Sequence, residues 1–193
     1  MVSVKSTMLP LGTPVPELEL PDAGGARHGT AALADAPGLL VAFVCNHCPY
    51  VVHVADDLGR LAEGWRAKGL AVLAVNSNDA ASYPADGPDR MPAFAEAHGW
   101  AFPYLVDETQ EVALAYRAAC TPDFFLFDGD RRLAYRGRLD GSRPNSGVPV
   151  TGDDLGAAVD AVLAGTPAPT TQLPSMGCNI KWKAGNQPDW FGA

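Results

Sequence analysis

Continuous apolar runs alternate with helical periodicities along most of the chain. Residues 39–44 and 70–75 are unbroken apolar stretches of strand length, the pattern of strands buried on both faces. Between them Val51, Val54, Leu58, Leu61 and Trp65 recur at spacings of three and four. That period predicts a helix from Pro49 to about Lys68, with Gly69 as its C′ residue. Further on, the pattern predicts a short helix over 91–98, a strand over 102–106 and a helix over 108–116. Residues 123–127 and 131–136 read as an antiparallel hairpin around Asp128-Gly129-Asp130. Thr151 is placed to N-cap a closing helix over 152–164, with Asp153 and Asp154 in its first turn and Gly165 beyond its end.

The two ends of the chain carry less periodicity. Prolines at 10, 14 and 16 predict an irregular lead-in over residues 1–16. Residues 17–20 alternate as an edge strand would, and the turn over 21–25 sends the chain towards a second short strand. The order strand, helix, strand, helix, hairpin, helix predicts an α/β fold, with a central mixed sheet flanked by helices on both faces. Residues 1–165 form its domain, and 166–193 a C-terminal extension that combines four prolines with Trp182, Trp190 and Phe191. Aromatic side chains left in water forfeit a large apolar burial, so the extension is expected to pack back onto the domain.

Composition narrows the function classes. The net charge of −8 disfavours nucleic acid or an anionic membrane surface as partner. No apolar run reaches the roughly 18 residues of a membrane span. The N-terminal stretch lacks an apolar h-region, which predicts a cytoplasmic protein. Four cysteines in a reducing compartment point to catalysis or metal rather than to a disulfide scaffold.

Candidate chemistry centres on Cys45-Asn46-His47-Cys48, set between the first core strand and the long helix. A strand that delivers a C-x-x-C to a helix start places a thiol beside unpaired N–H groups and the positive end of the helix dipole. Both favour the thiolate, the attacking species. This reading makes Cys45 the nucleophile and Cys48 the resolving thiol, a redox-active disulfide that needs no bound cofactor or metal. An imidazolium at His47 would add positive charge beside Cys45. Pro49 suits the first helical turn, where a missing N–H costs little.

The element order and the segments at 44–53, 75–91, 102–128, 135–140 and 176–186 resemble the thioredoxin superfamily, in its peroxiredoxin-like redoxin (AhpC/TSA-type) branch. The resemblance implies a thioredoxin fold and a cis-proline loop at Thr121-Pro122 facing the cysteine pair. Backbone groups there would pair with an extended thiol substrate and keep metal away. It also implies partners: a protein or small-molecule disulfide as substrate and an external thiol reductant. The sequence departs from two family patterns. Residues 37–44 hold no carboxylate to lie beneath a disulfide as in thioredoxin. If Cys48 is aligned with the peroxidatic cysteine, Cys45 replaces the usual threonine and Pro122 falls near the place of the arginine.

Three functions follow. The first is a thiol–disulfide oxidoreductase using Cys45 and Cys48. The second is a thiol peroxidase with Cys48 peroxidatic. The third is a metal-binding or interaction module built from Cys45, Cys48 and Cys178. Cys120 fits a small buried residue. Cys178, preceded by the turn-permitting Gly177, is placed in the extension as a third redox cysteine near the active site.

Overall fold

The computed structural model describes residues 3–191. In chain order its strands and α-helices are Ser3–Lys5 (β1), Glu19–Pro21 (β2), Arg27–Gly29 (β3), Leu39–Phe43 (β4), Pro49–Ala67 (α1), Ala71–Asn76 (β5), Met91–Ala97 (α2) and Tyr104–Val106 (β6). There follow Glu111–Ala115 (α3), Cys120–Thr121 (β7), Asp123–Phe127 (β8), Leu133–Gly137 (β9), Asp153–Leu163 (α4) and Met176–Asn179 (β10).

The frame is a five-stranded mixed sheet ordered β6-β5-β4-β8-β9. β4 runs parallel to β5 and antiparallel to β8, so it lies at the centre. Every residue of β4 is buried. Alternate side chains of a strand point to opposite faces, which explains the unbroken apolar run. Leu40, Ala42 and Val44 join a core with Val51, Ala55 and Leu58 of α1 and Leu155, Ala158 and Val159 of α4. On the other face Leu39, Val41 and Phe43 pack with Val112 and Ala113 of α3, Tyr116, Ile180 and Trp182. Helices thus cover both faces of the mixed sheet, as the resemblance to the thioredoxin fold implies. No helix among the described residues is long and apolar enough to cross a membrane.

Four expectations are corrected. The lead-in is not wholly irregular, because β1 pairs with β10 of the C-terminal extension. The strand expected over 102–106 is confined to Tyr104–Val106, where it pairs with β5. The helix expected over 108–116 starts only at Glu111, because Gln110 adopts a left-handed backbone (φ 66°). Its buried side chain instead donates to the carbonyls of Ser77 (2.7 Å) and Lys181 (2.9 Å). The residue at the cap of α4 is Gly152, and the Thr151 hydroxyl, one residue earlier, accepts the Asp153 N–H at 3.4 Å. Asp140 receives the Thr151 and Gly152 N–H groups at 2.8 and 2.7 Å and ties down the segment entering the helix.

The extension returns along the domain. Lys181 and Trp182 are buried. The Lys181 N–H donates to Asn78 Oδ1 (2.8 Å), its carbonyl accepts from the Asp79 N–H (2.8 Å), and the Lys183 N–H donates to Gln110 Oε1 (2.8 Å). A separate three-stranded sheet, β1-β10-β7, joins the two ends of the chain to the loop that precedes Pro122.

Candidate active site

β4 delivers the chain to the dithiol and α1 receives it. The Val44 N–H still donates to the Val75 carbonyl (2.9 Å), and the helix begins at Pro49. Cys48, not Cys45, therefore holds the N-cap position, with extended backbone and a carbonyl accepting from the N–H groups of Val51 and Val52. Cys45 lies three residues before the cap, so the helix-start argument applies to the second thiol. The expectation that Cys45 stands at the helix start is corrected on that ground.

The hydrogen bonds agree with the placement. A hydrogen bond from the Cys45 thiol is the largest influence that lowers the Cys48 pKa, to about 5, against its burial; hydrogen bonds from Cys178 and Thr121 act in the same sense. Donors aimed at a sulfur favour its charged form. When protonated, Cys48 donates to the Thr121 carbonyl at 3.1 Å, a contact that favours the neutral thiol and opposes those donors. Cys45 is its complement: its hydrogen bond to Cys48, then burial and the charge of Asp86, push its pKa well up. Its sulfur lies 3.5 Å from the Thr121 hydroxyl. Among the described residues no disulfide joins the four cysteines; all are buried, and Cys45 and Cys48 are at most 1% exposed.

Asp86 is the site residue that sequence reasoning missed. It is buried in the turn after β5, where a lone aspartate gives no periodic signal. Its Oδ1 accepts the N–H groups of Asn46 (2.8 Å) and His47 (3.2 Å), and its Oδ2 accepts from Asn78 Nδ2 (2.7 Å). The carboxylate absent from β4 thus arrives from a loop. His47 turns towards this carboxylate, Nδ1 to Oδ2 2.6 Å without hydrogen-bond geometry, and stacks on Tyr83 with ring centroids 5.9 Å apart. Among the described residues, the ligand atoms that could hold a metal ion together belong to Cys45, His47 and Asp86, all within 4.8 Å of one another. Cys48 and Cys178 are not in that group, which corrects the three-cysteine ligand set.

The Thr121–Pro122 peptide is cis, and Thr121 faces both thiols. Beside it, burial pushes the Cys120 thiol well up and Asp123 to about 7, even though Asp123 accepts a 2.5 Å hydrogen bond from Ser6 Oγ. Cys178 lies directly across from Thr121 in the β10–β7 pair and shares a hydrogen bond with Cys48. Burial first, then that bond, push Cys178 up to about 12. A β-carbon on Gly177 would fall 2.0 Å from the Thr121 carbonyl oxygen, so glycine alone allows this approach.

A family model described as the AhpC/TSA family matches residues 11–136. No protein with a curated description matches the sequence. Two solved structures resemble the whole chain. A hypothetical protein from Sinorhizobium meliloti 1021 is 52% identical, with TM-score 0.92, over 94% of this chain and 99% of that one. An uncharacterized conserved protein from Geobacillus kaustophilus is 50% identical, with TM-score 0.92, over 95% and 97%. A thiol:disulfide interchange protein of the thioredoxin family from Chlorobium tepidum TLS shares the fold at 15% identity and TM-score 0.61, over 79% and 97%.

Proposed function

The chain belongs to the AhpC/TSA family, and from that premise we propose that it is a thiol–disulfide oxidoreductase in which Cys48 attacks and Cys45 resolves. The observation that carries the reading is the setting of Cys48: N-cap of α1, donors on its sulfur and a depressed pKa. The Cys48 thiolate attacks one sulfur of a substrate disulfide, forms a mixed disulfide and expels the other half as a thiolate. The charge on Cys48 is then gone, and with it the largest cause holding the proton on Cys45. Cys45 attacks the Cys48 sulfur, and the thiolate it expels takes up the Cys45 proton. The products are the Cys45–Cys48 disulfide and a second released thiol. An external thiol reductant resets the pair. Because both sulfurs are buried, attack on a protein disulfide requires the site to become exposed.

A thiol peroxidase using Cys48 draws on the same depressed pKa. With Cys48 aligned as the peroxidatic cysteine, Cys45 replaces the threonine and Pro122 falls near the place of the arginine that hold a peroxide. Without such donors the developing charge of O–O cleavage goes unstabilised.

Insulin-disulfide reduction by single-cysteine variants tests the assignment. Cys48→Ser should be inactive. Cys45→Ser should still open a first substrate disulfide through Cys48. Full turnover by Cys48→Ser would overturn it.

A further inference from the structure

An extended partner that presented a sulfur to Cys48 would need the backbone edge of Thr121, whose carbonyl and side chain both face the dithiol. That edge is taken within the chain itself. β10 pairs antiparallel with β7, Cys178 opposite Thr121 and Asn179 opposite Cys120, and the Ile180 N–H continues the pairing to the Ala119 carbonyl (3.1 Å). The strand carries its own thiol to within hydrogen-bond reach of Cys48.

We propose that β10 is a built-in substrate strand, and that Cys178 forms a disulfide with Cys48 in competition with Cys45. The proposal rests on the reading of Cys48 as the attacking thiolate.

Three features hold Cys178 in place. β1 pairs with the opposite edge of β10, Ser3 against Cys178 and Val4 against Gly177. Lys181, three residues on, is tied by backbone bonds to Asn78 and Asp79. Gly177 lets the strand approach the Thr121 carbonyl more closely than any residue with a β-carbon could. A thiol so fixed loses little further freedom on bonding, which raises its effective concentration beside Cys48.

The step balances without an added oxidant. With Cys48 in a mixed disulfide with a thiol R, the Cys178 thiolate attacks the Cys48 sulfur. The Cys48–Cys178 bond forms, the Cys48–SR bond breaks, and the thiolate of R leaves and takes up the proton that Cys178 gave up. The substrate disulfide supplied the two-electron oxidation. Two influences that keep Cys178 protonated, its hydrogen bond to Cys48 and the Cys48 charge, vanish when Cys48 enters a disulfide. Nearby Lys181 favours the Cys178 thiolate that remains. The third thiol becomes nucleophilic when Cys48 becomes its target.

The test uses full-length, reduced Cys45→Ser with one equivalent of oxidised glutathione, an acid quench and non-reducing peptide mass spectrometry. Cys45→Ala gives the same readout without a hydroxyl in the buried site. The expected result is a Cys48–Cys178 linked peptide with no glutathione left on the protein. The double variant with Cys178→Ser should retain one glutathione on Cys48. Stable glutathione on Cys48, with Cys178 alkylated after the quench, overturns this proposal alone. If neither variant ever carries glutathione on Cys48, the assignment of the attacking thiol falls, and this proposal with it.

Discussion

Cys178 and Thr121 stand opposite one another in an antiparallel pair, and the Thr121 carbonyl oxygen lies 3.1 Å from the Cys48 sulfur. The C-terminal extension is thereby part of the wall of the dithiol site. Residues far apart in the sequence meet there because strands of three and four residues from the two chain ends join the two-residue β7 in a single small sheet.

That wall is sensitive to side-chain size. Gly177→Ala would drive a β-carbon against the Thr121 carbonyl, and the strand must shift to relieve it. Overpacking of this kind costs about 1–3 kcal/mol. The variant should melt at lower temperature and form less Cys48–Cys178 disulfide in the Cys45→Ser background. Unchanged melting and unchanged yield would show that the close approach does not hold the strand.

Asp123 makes folding depend on pH. Its folded pKa, about 7, is raised by burial above the ordinary 3.8. A raised carboxyl pKa means that the folded state holds its proton longer. Its contribution is therefore most favourable below 3.8 and is lost as pH rises to 7. At about 1.4 kcal/mol per pKa unit, the loss is bounded at roughly 4 kcal/mol. Urea unfolding of Asp123→Asn should lack this slope, and a slope matching that of the unaltered protein would refute the assignment.

The thiols act in opposite directions. The Cys48 pKa is lowered from 9.0 to about 5, so its stabilising contribution is full above 9 and is lost as pH falls towards 5. Unaltered protein should gain stability over Cys48→Ser as pH rises through that window. A difference between the two that stays flat with pH would mean that Cys48 is an ordinary thiol.

Asp86 should act on Cys45 through its charge. In the Cys48→Ser background the hydrogen bond between the two thiols is gone, and Asp86 remains among the causes that raise Cys45. Adding Asp86→Asn should then speed alkylation of Cys45 at fixed neutral pH. An unchanged rate would confine Asp86 to holding the loop through Asn46, His47 and Asn78.

The frame was legible from the sequence because β4, α1, β5 and the β8–β9 hairpin each carry a period long enough to read. The start of α1 at Pro49 was legible too, and it already placed Cys48 at the cap. Placing Cys45 at the helix start leaves out the loop that separates strand from helix. The β1-β10-β7 sheet was not legible, since two to four residues hold no period and the pairing joins the chain's two ends. Asp86 was hidden for a related reason. It acts through its fold-dependent position in a turn, and nothing in its neighbours marks a buried carboxylate.

The central claim is that Cys48 is the resting thiolate. At pH 6 a thiol of pKa about 5 is roughly nine-tenths ionised, whereas an ordinary cysteine is ionised to well under 1%. Substoichiometric iodoacetamide at that pH, followed by peptide mapping, reads the difference directly. Opening of the site sets the absolute rate, while the distribution of label among the four cysteines reports ionisation. The account predicts that Cys48 carries the label, with Cys45, Cys120 and Cys178 nearly unmodified. Label concentrated on Cys45 would contradict it.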